Sequence, residues 1–152
     1  MALRISTGLR NLLVGTAGQG FGEAMNNGWL DIYTGAQPSS ADAIETGTKL
    51  VRISSTSGAG VADGLKFGSA GTGVLPIGTP AWTGTVLVAG VAGWFRFYAS
   101  SGTGGATGTS STALRFDGAC GISGADLELS HTNLAKDSTL TITAANVTQP
   151  AE

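Results

Sequence analysis

Gly93-Trp94-Phe95-Arg96-Phe97-Tyr98, with the run before it, Trp82-Thr83-Gly84-Thr85-Val86-Leu87-Val88-Ala89, decides the fold class. Successive side chains of a strand point to opposite faces. Phe95 and Phe97 therefore share one face, and Trp94, Arg96 and Tyr98 share the other. Gly90-Val91-Ala92 lies between the two runs, so the pattern predicts a hairpin.

The same period of two recurs outward along the chain. Trp29-Leu30-Asp31-Ile32-Tyr33-Thr34 sets Leu30 and Ile32 against Trp29, Asp31 and Tyr33, giving a strand with an aromatic outer side. In Lys49–Ser54, Val51 and Ile53 share a face and Arg52 points away. Ala113–Cys120 opposes Leu114 and Phe116 to Arg115 and Asp117. Leu127 and Leu129 alternate with Asp126 and Glu128, and in Thr139–Thr143 Leu140 and Ile142 alternate with threonines. Leu65-Lys66-Phe67 and Val74-Leu75-Pro76-Ile77 are shorter, and Pro76 confines the second to an edge or a non-strand segment. Short helical turns are expected only near the start, at Leu9–Val14 capped by Ser6 or Thr7 and at Phe21–Asn26 ended by Asn27-Gly28. The expected architecture is all-β, an antiparallel β-sandwich or jelly-roll-like barrel, with residues 1–28 as an N-terminal arm and residues 29–152 as the domain.

Composition agrees. Charged residues make up 12% of the 152 residues, against about 25% in typical chains. The 25 glycines suit short strands joined by tight turns and long loops. Gly35–Gly47, Ser55–Asp63 and Ser100–Ser111 are the longest of these loops. Residues 1–28 and 100–111 have little core-forming content and are expected to become ordered against a partner.

The net charge is −2, and Arg4, Arg10, Lys49, Arg52, Lys66, Arg96, Arg115 and Lys136 are dispersed along the chain, so no basic stripe follows a phosphate backbone. Direct nucleic-acid binding is not expected. Met1-Ala2-Leu3-Arg4 does not open a signal peptide, and no apolar run approaches the ~18 residues of a membrane span. Folding in a cytoplasm, without a membrane partner, follows. Asn146-Val147-Thr148 matches a glycosylation sequon that has no meaning without secretion.

Reactive groups are few. Cys120, the only cysteine, reads as a structural thiol on a strand. His131 is the only histidine, and neighbours on a strand face opposite ways, so Ser130 and His131 are not expected to couple. Asp126 and Glu128 would lie ~7 Å apart on one solvated face, a spacing open to glycosidase chemistry but also that of any half-buried strand. Gly71-Thr72-Gly73 and Gly102-Thr103-Gly104-Gly105 lack the strand and helix context of phosphate loops. No catalytic residue, metal site or cofactor is expected. Trp29, Tyr33, Trp94 and Tyr98 are the candidate interface residues, since flat amphipathic rings on an outer face anchor protein or sugar.

One resemblance covers most of the chain. Leu9-Arg10-Asn11-Leu12-Leu13-Val14-Gly15, Phe21–Asp42 with its Asn27-Gly28-Trp29-Leu30-Asp31-Ile32-Tyr33-Thr34-Gly35 centre, Gly47-Thr48-Lys49-Leu50, Gly93–Tyr98, Leu127-Glu128-Leu129-Ser130 and Thr139-Leu140-Thr141-Ile142 together resemble small virion proteins of tailed bacteriophages. The nearest type is the capsid cement or decoration protein. That resemblance implies a β-sandwich on the outer capsid surface that binds the major capsid protein and associates with itself as a homodimer or higher oligomer. It implies no catalytic residue. A tail- or baseplate-associated receptor- or glycan-binding module is the alternative, and copy number per particle separates the two.

Overall fold

The computed structural model describes residues 3–15, 19–54, 64–79 and 81–148. Residues 55–63, expected to form a loop, lie outside them.

The chain is all-β and sandwich-like, with two short helices near its start. Its main sheet is antiparallel in the order β1 (Arg4–Ile5), β8 (Arg115–Gly121), β7 (Trp94–Tyr98), β2 (Trp29–Tyr33), β3 (Lys49–Ile53). The short strand β9 (Leu127–Glu128) joins the far end of β8 in parallel. Register follows the alternation seen in the sequence. Leu30 stands opposite Ile53 and Phe97, and Phe97 opposite Phe116. These apolar residues face a second layer formed by β5 (Trp82–Thr85) with β11 (Thr139–Ile142), and by β4 (Val74–Pro76) with β12 (Asn146–Thr148). Single bridges from Ser54 to Thr83 and from Val51 to Val86 tie β3 to β5, so the sheet curls over its own core. At the centre Phe97 stacks on Phe116 at 5.2 Å and meets Phe67 and Trp82, each at 5.4 Å.

The helices are built into this body. In α1 (Thr7–Gly15), Ser6 caps the first turn by accepting the Leu9 N–H at 3.2 Å, and its hydroxyl donates to the Ala113 carbonyl. Phe21 of α2 (Phe21–Met25) packs 5.2 Å from Phe116. Leu9, Ala24 and Met25 are buried, and Arg4 and Ile5 pair with Asp117 and Phe116. The expectation that this segment is a poorly core-forming arm is therefore corrected. Its few apolar residues fall on inward positions, which total content did not reveal.

The expected hairpin from Trp82 to Ala99 is also corrected. Both sides of β7 are taken, by β2 and β8. β5 pairs instead with β11, aligning Thr85 with Thr139 and Thr83 with Thr141, a favourable cross-strand match. Gly90–Val91 forms β6, which pairs with β10 (Asn133–Leu134). Pro76 does sit in a strand without a long ladder: its carbonyl accepts the Gly68 N–H, while its missing N–H costs no bond to β12.

Because Phe97 joins the two layers, Phe97→Ala is expected to destabilise the fold by about 3–5 kcal/mol, read from urea denaturation. Val14→Ala, at an exposed helix position, should stay within about 0.5 kcal/mol.

Candidate functional site

The second face of the main sheet carries the other half of each alternating strand. Register aligns these residues into rows that cross the sheet. One row reads Arg52, Asp31, Arg96, Asp117, Arg4 across β3, β2, β7, β8 and β1, with charge alternating at every step. A flanking row holds Trp29, Tyr98 and Arg115, and the opposite flank holds Lys49, Tyr33 and Trp94. Basic residues dispersed in sequence are thus gathered in space. Asp31, Arg96, Arg115 and Asp117 are fully buried.

Burying an ion costs several kcal/mol unless its bonds are replaced, so each must find partners. Arg52 donates from Nε and Nη2 to the two oxygens of Asp31, at 2.7 and 2.6 Å, a side-on fork. Arg96 donates from Nε and Nη2 to Asp117 Oδ2, at 3.1 and 2.7 Å. Its remaining nitrogen reaches Glu45 Oε1 and the Ala43 carbonyl. Arg115 donates to the carbonyls of Ala41, Ala106 and Ser110. Gln37 donates to Asp117, and Arg4 to the Pro38 carbonyl.

Most of these acceptors lie on two loops, 35–47 and 100–112. Glu45 joins them, accepting from the Tyr98 hydroxyl at 2.8 Å, from Arg96 and from the Gly108 N–H. Asp42 accepts both the N–H and the hydroxyl of Thr7, and its carbonyl takes the Ser110 N–H. Two glycines allow the close approach: a side chain at Gly93 would strike the Gly35 carbonyl, and one at Gly105 the Ala99 carbonyl. The loop expected to become ordered against a partner, 100–111, thus has acceptors and donors bonded within its own chain. Buried guanidinium groups of the same chain hold it.

The four candidate interface aromatics do gather on this face, in two stacked pairs. Trp29 lies on Tyr98 at 5.0 Å, Tyr33 lies on Trp94 at 4.5 Å, and the Tyr33 and Tyr98 hydroxyls meet at 3.2 Å. Tyr33, Trp94 and Tyr98 are buried, and Trp29 is half-buried with Arg52 5.3 Å above its ring. The open aromatic platform is thus corrected to an internal layer. Burial raises both phenols above their ordinary value, with the Asp31 charge adding to it at Tyr33 and Tyr33 and Glu45 adding to it at Tyr98, so they serve as neutral hydrogen-bonding groups.

No family model, curated protein or solved structure matches this chain. Its geometry alone bears on what the face does. The guanidinium and carboxylate groups are spent on one another and on loop carbonyls, so the arrangement fixes the loops to the sheet.

The other candidates lie apart. Ser130 and His131 contradict expectation: Ser130 Oγ stands 2.9 Å from His131 Nδ1, because both lie in a bend beyond β9 and not within a strand. Both are exposed, and the contact stands alone. Glu128 accepts the Gly124 N–H and Asp126 the Ala119 N–H, so each carboxylate ties down local backbone. Burial, with the Asp126 charge, pushes the Cys120 thiol up to about 12, which suits a structural cysteine. Gly71–Gly73 is a tight turn and Ser101–Thr103 a turn of 3-10 helix. Among the described residues no group of His, Cys, Asp or Glu could hold a metal ion, and no helix is long and apolar enough to cross a membrane.

Asp117→Ala is expected to destabilise by about 3–5 kcal/mol, since it leaves Arg96 charged and buried without its carboxylate; adding Arg96→Met should recover a large part in urea denaturation. Glu45 and Asp42 add a pH dependence. Burial alone would raise both. Hydrogen bonds outweigh it, from the Glu45 and Gly108 N–H groups and Tyr98 for Glu45 and from Thr7 for Asp42, and both titrate below their ordinary values of 4.5 and 3.8. Their stabilisation is complete above those values and is lost as pH falls through the lower folded ones. Glu45→Gln should therefore flatten the acid limb of a stability-against-pH curve.

Proposed function

We propose that this chain is a structural subunit of a tailed-bacteriophage virion, a cement protein that reinforces the capsid by binding major capsid protein subunits on the outer surface. The resemblance of residues 9–15, 21–42, 47–50, 93–98, 127–130 and 139–142 to such virion proteins carries this reading. The same stretches supply β2, β7, β11 and most of the loop 35–47, and with them Asp31 and Arg96 of the charged row. A cement protein works by contact and rigidity. Here the strongest charged groups are turned inward, where they stiffen the body and its long loops. Apolar side chains stay outside: Leu87, Val88 and Val91 stand exposed close together in the chain, as do Ile44 and Ile122 on other loops. Modest contacts of this kind become firm when many copies act on one shell.

The tail-associated glycan-binding alternative drew its support from outward aromatics, and these are covered. Binding to a shell, which needs no turnover, is the better account of a body whose buried charges are paired internally.

Purified particles should carry this chain at a stoichiometry comparable with that of the major capsid protein, seen as a strong band on denaturing gels. Particles made without it should rupture at lower temperature. A trace band at tail stoichiometry, or unchanged rupture without the chain, would remove the proposal.

A further inference from the structure

The pairing of β12 leaves one edge open. The Ile77 N–H donates to the Ala145 carbonyl, and Val147 stands opposite Leu75 in the same ladder. Alternation along an antiparallel pair then turns the backbone N–H and C=O of Val147 toward β4, and those of Asn146 and Thr148 away from it. β4 cannot serve them, because its own outward groups are used: Gly71 exchanges bonds with Val74, and the Pro76 carbonyl takes the Gly68 N–H. No strand among the described residues pairs with the outer edge of β12.

Beside that strand runs an apolar groove. A cavity of about 870 Å³ lined by Phe21, Leu75 and Val147 shares Leu3, Phe67, Val147 and Thr148 with a second of about 200 Å³, which reaches Phe116 and Leu127. The smaller lies between Leu127 of β9 and β12, the larger between the helices, β4 and the end of β12, and together they form one seam along β12. Volumes of this order hold several side chains. On the rim of the larger cavity stands Glu23, exposed, its carboxylate without an ion pair or hydrogen bond among the described residues.

We infer that this seam receives an extended segment of a partner protein, which adds a strand to the open edge of β12, inserts alternate apolar side chains into the groove and sets a lysine or arginine against Glu23. Unpaired backbone groups select an extended chain, the apolar lining selects every second side chain, and the lone carboxylate selects the charge. The inference stands on the edge and groove alone, whether or not the partner belongs to a capsid.

The test uses the full chain and a short synthetic peptide that alternates valine and threonine and ends in lysine, with a second peptide ending in glutamate. In the free protein the Asn146 and Thr148 amides should exchange with deuterium at near-unprotected rates while Val147 is protected. Saturating lysine peptide should slow Asn146 and Thr148 at least roughly tenfold. Asn146→Pro, which removes an outward N–H and leaves the bonds of Val147 intact, should abolish binding. Glu23→Lys, at an exposed site, should weaken the lysine peptide roughly two- to fivefold and favour the glutamate peptide. Failure of the lysine peptide to slow those amides overturns the inference. So does slow exchange in the free chain, which would mean that its own termini cover the edge, or a second copy where the protection rises with concentration. Equal affinity of both peptides overturns the role of Glu23.

Discussion

Arg96 and Asp117 lie opposite each other on β7 and β8, both wholly out of water, joined through two guanidinium nitrogens and one carboxylate oxygen. Most of the remaining architecture follows from placing that pair inside. A carboxylate cannot satisfy every donor of a guanidinium, so Arg96 also takes Glu45 and the Ala43 carbonyl, and both lie on the loop 35–47. Arg115, one strand position away on the same face, makes the same demand of Ala41, Ala106 and Ser110. The two loops are consequently acceptor surfaces, and their low content of bulky side chains lets backbone carbonyls come close. Glycine and serine, which would leave an isolated loop mobile, here allow it to wrap ions.

The two faces of the sheet contribute in different ways. Phe97, Phe116, Leu30 and Trp82 supply the apolar burial that drives collapse, at roughly 25 cal/mol for each Å² removed from water. The charged face contributes less net energy, because desolvation offsets most of the attraction between buried ions. Its stronger effect is on register. A slip of one residue in β7 would turn Arg96 into the apolar layer and Phe97 among charges. A slip of two would set Arg96 opposite an aromatic residue of β2 and leave Asp117 opposite Trp94 or Tyr98. Only the observed alignment completes the row from Arg52 to Arg4. The apolar layer alone would tolerate a two-residue slip of β7 on β2 better, since β2 presents only Leu30 and Ile32 there and β7 only Phe95 and Phe97.

What was legible in the sequence divides along the same line. Period-two alternation placed β2, β3, β7, β8 and β11 and assigned each side chain to a face, because alternation is a property of one strand at a time. The cap of Ser6 and the end at Asn27-Gly28 were local too, with Asn27 at φ 59. Partnership between strands was not local. The supposed hairpin before Trp94 failed because β2 and β8 compete for both edges of β7, and neither lies near it in sequence. The charged row was missed for the same reason: Asp31, Arg96 and Asp117 each looked like the outward residue of a solvated strand, and their alternation in sign exists only across registers. Covering of Tyr33, Trp94 and Tyr98 was hidden as well, since loops 35–47 and 100–112 carry few apolar residues to announce that they pack. A usable signal was present in Arg96 and Arg115, which sit inside strands rich in aromatic and apolar residues; an arginine there calls for acceptors from outside the sheet.

This division also limits how the molecule can meet others. A protein with few charges that places Arg52, Arg96 and Arg115 against its own loops and carboxylates has little left for electrostatic recognition at a distance. Its contacts must then come mainly from apolar side chains and from backbone. The first are exposed at Leu87, Val88 and Val91, and the second at the outer edge of β12, where a rigid framework holds unpaired groups in the geometry of a strand. Rigidity matters to both. A contact surface already held in the geometry of a strand loses little conformational entropy when a partner arrives, so weak local attractions translate more fully into affinity. The cost of ordering Gly35–Gly47 and Ser100–Ser111 has been met during folding, by Arg96 and Arg115, before any second protein is present.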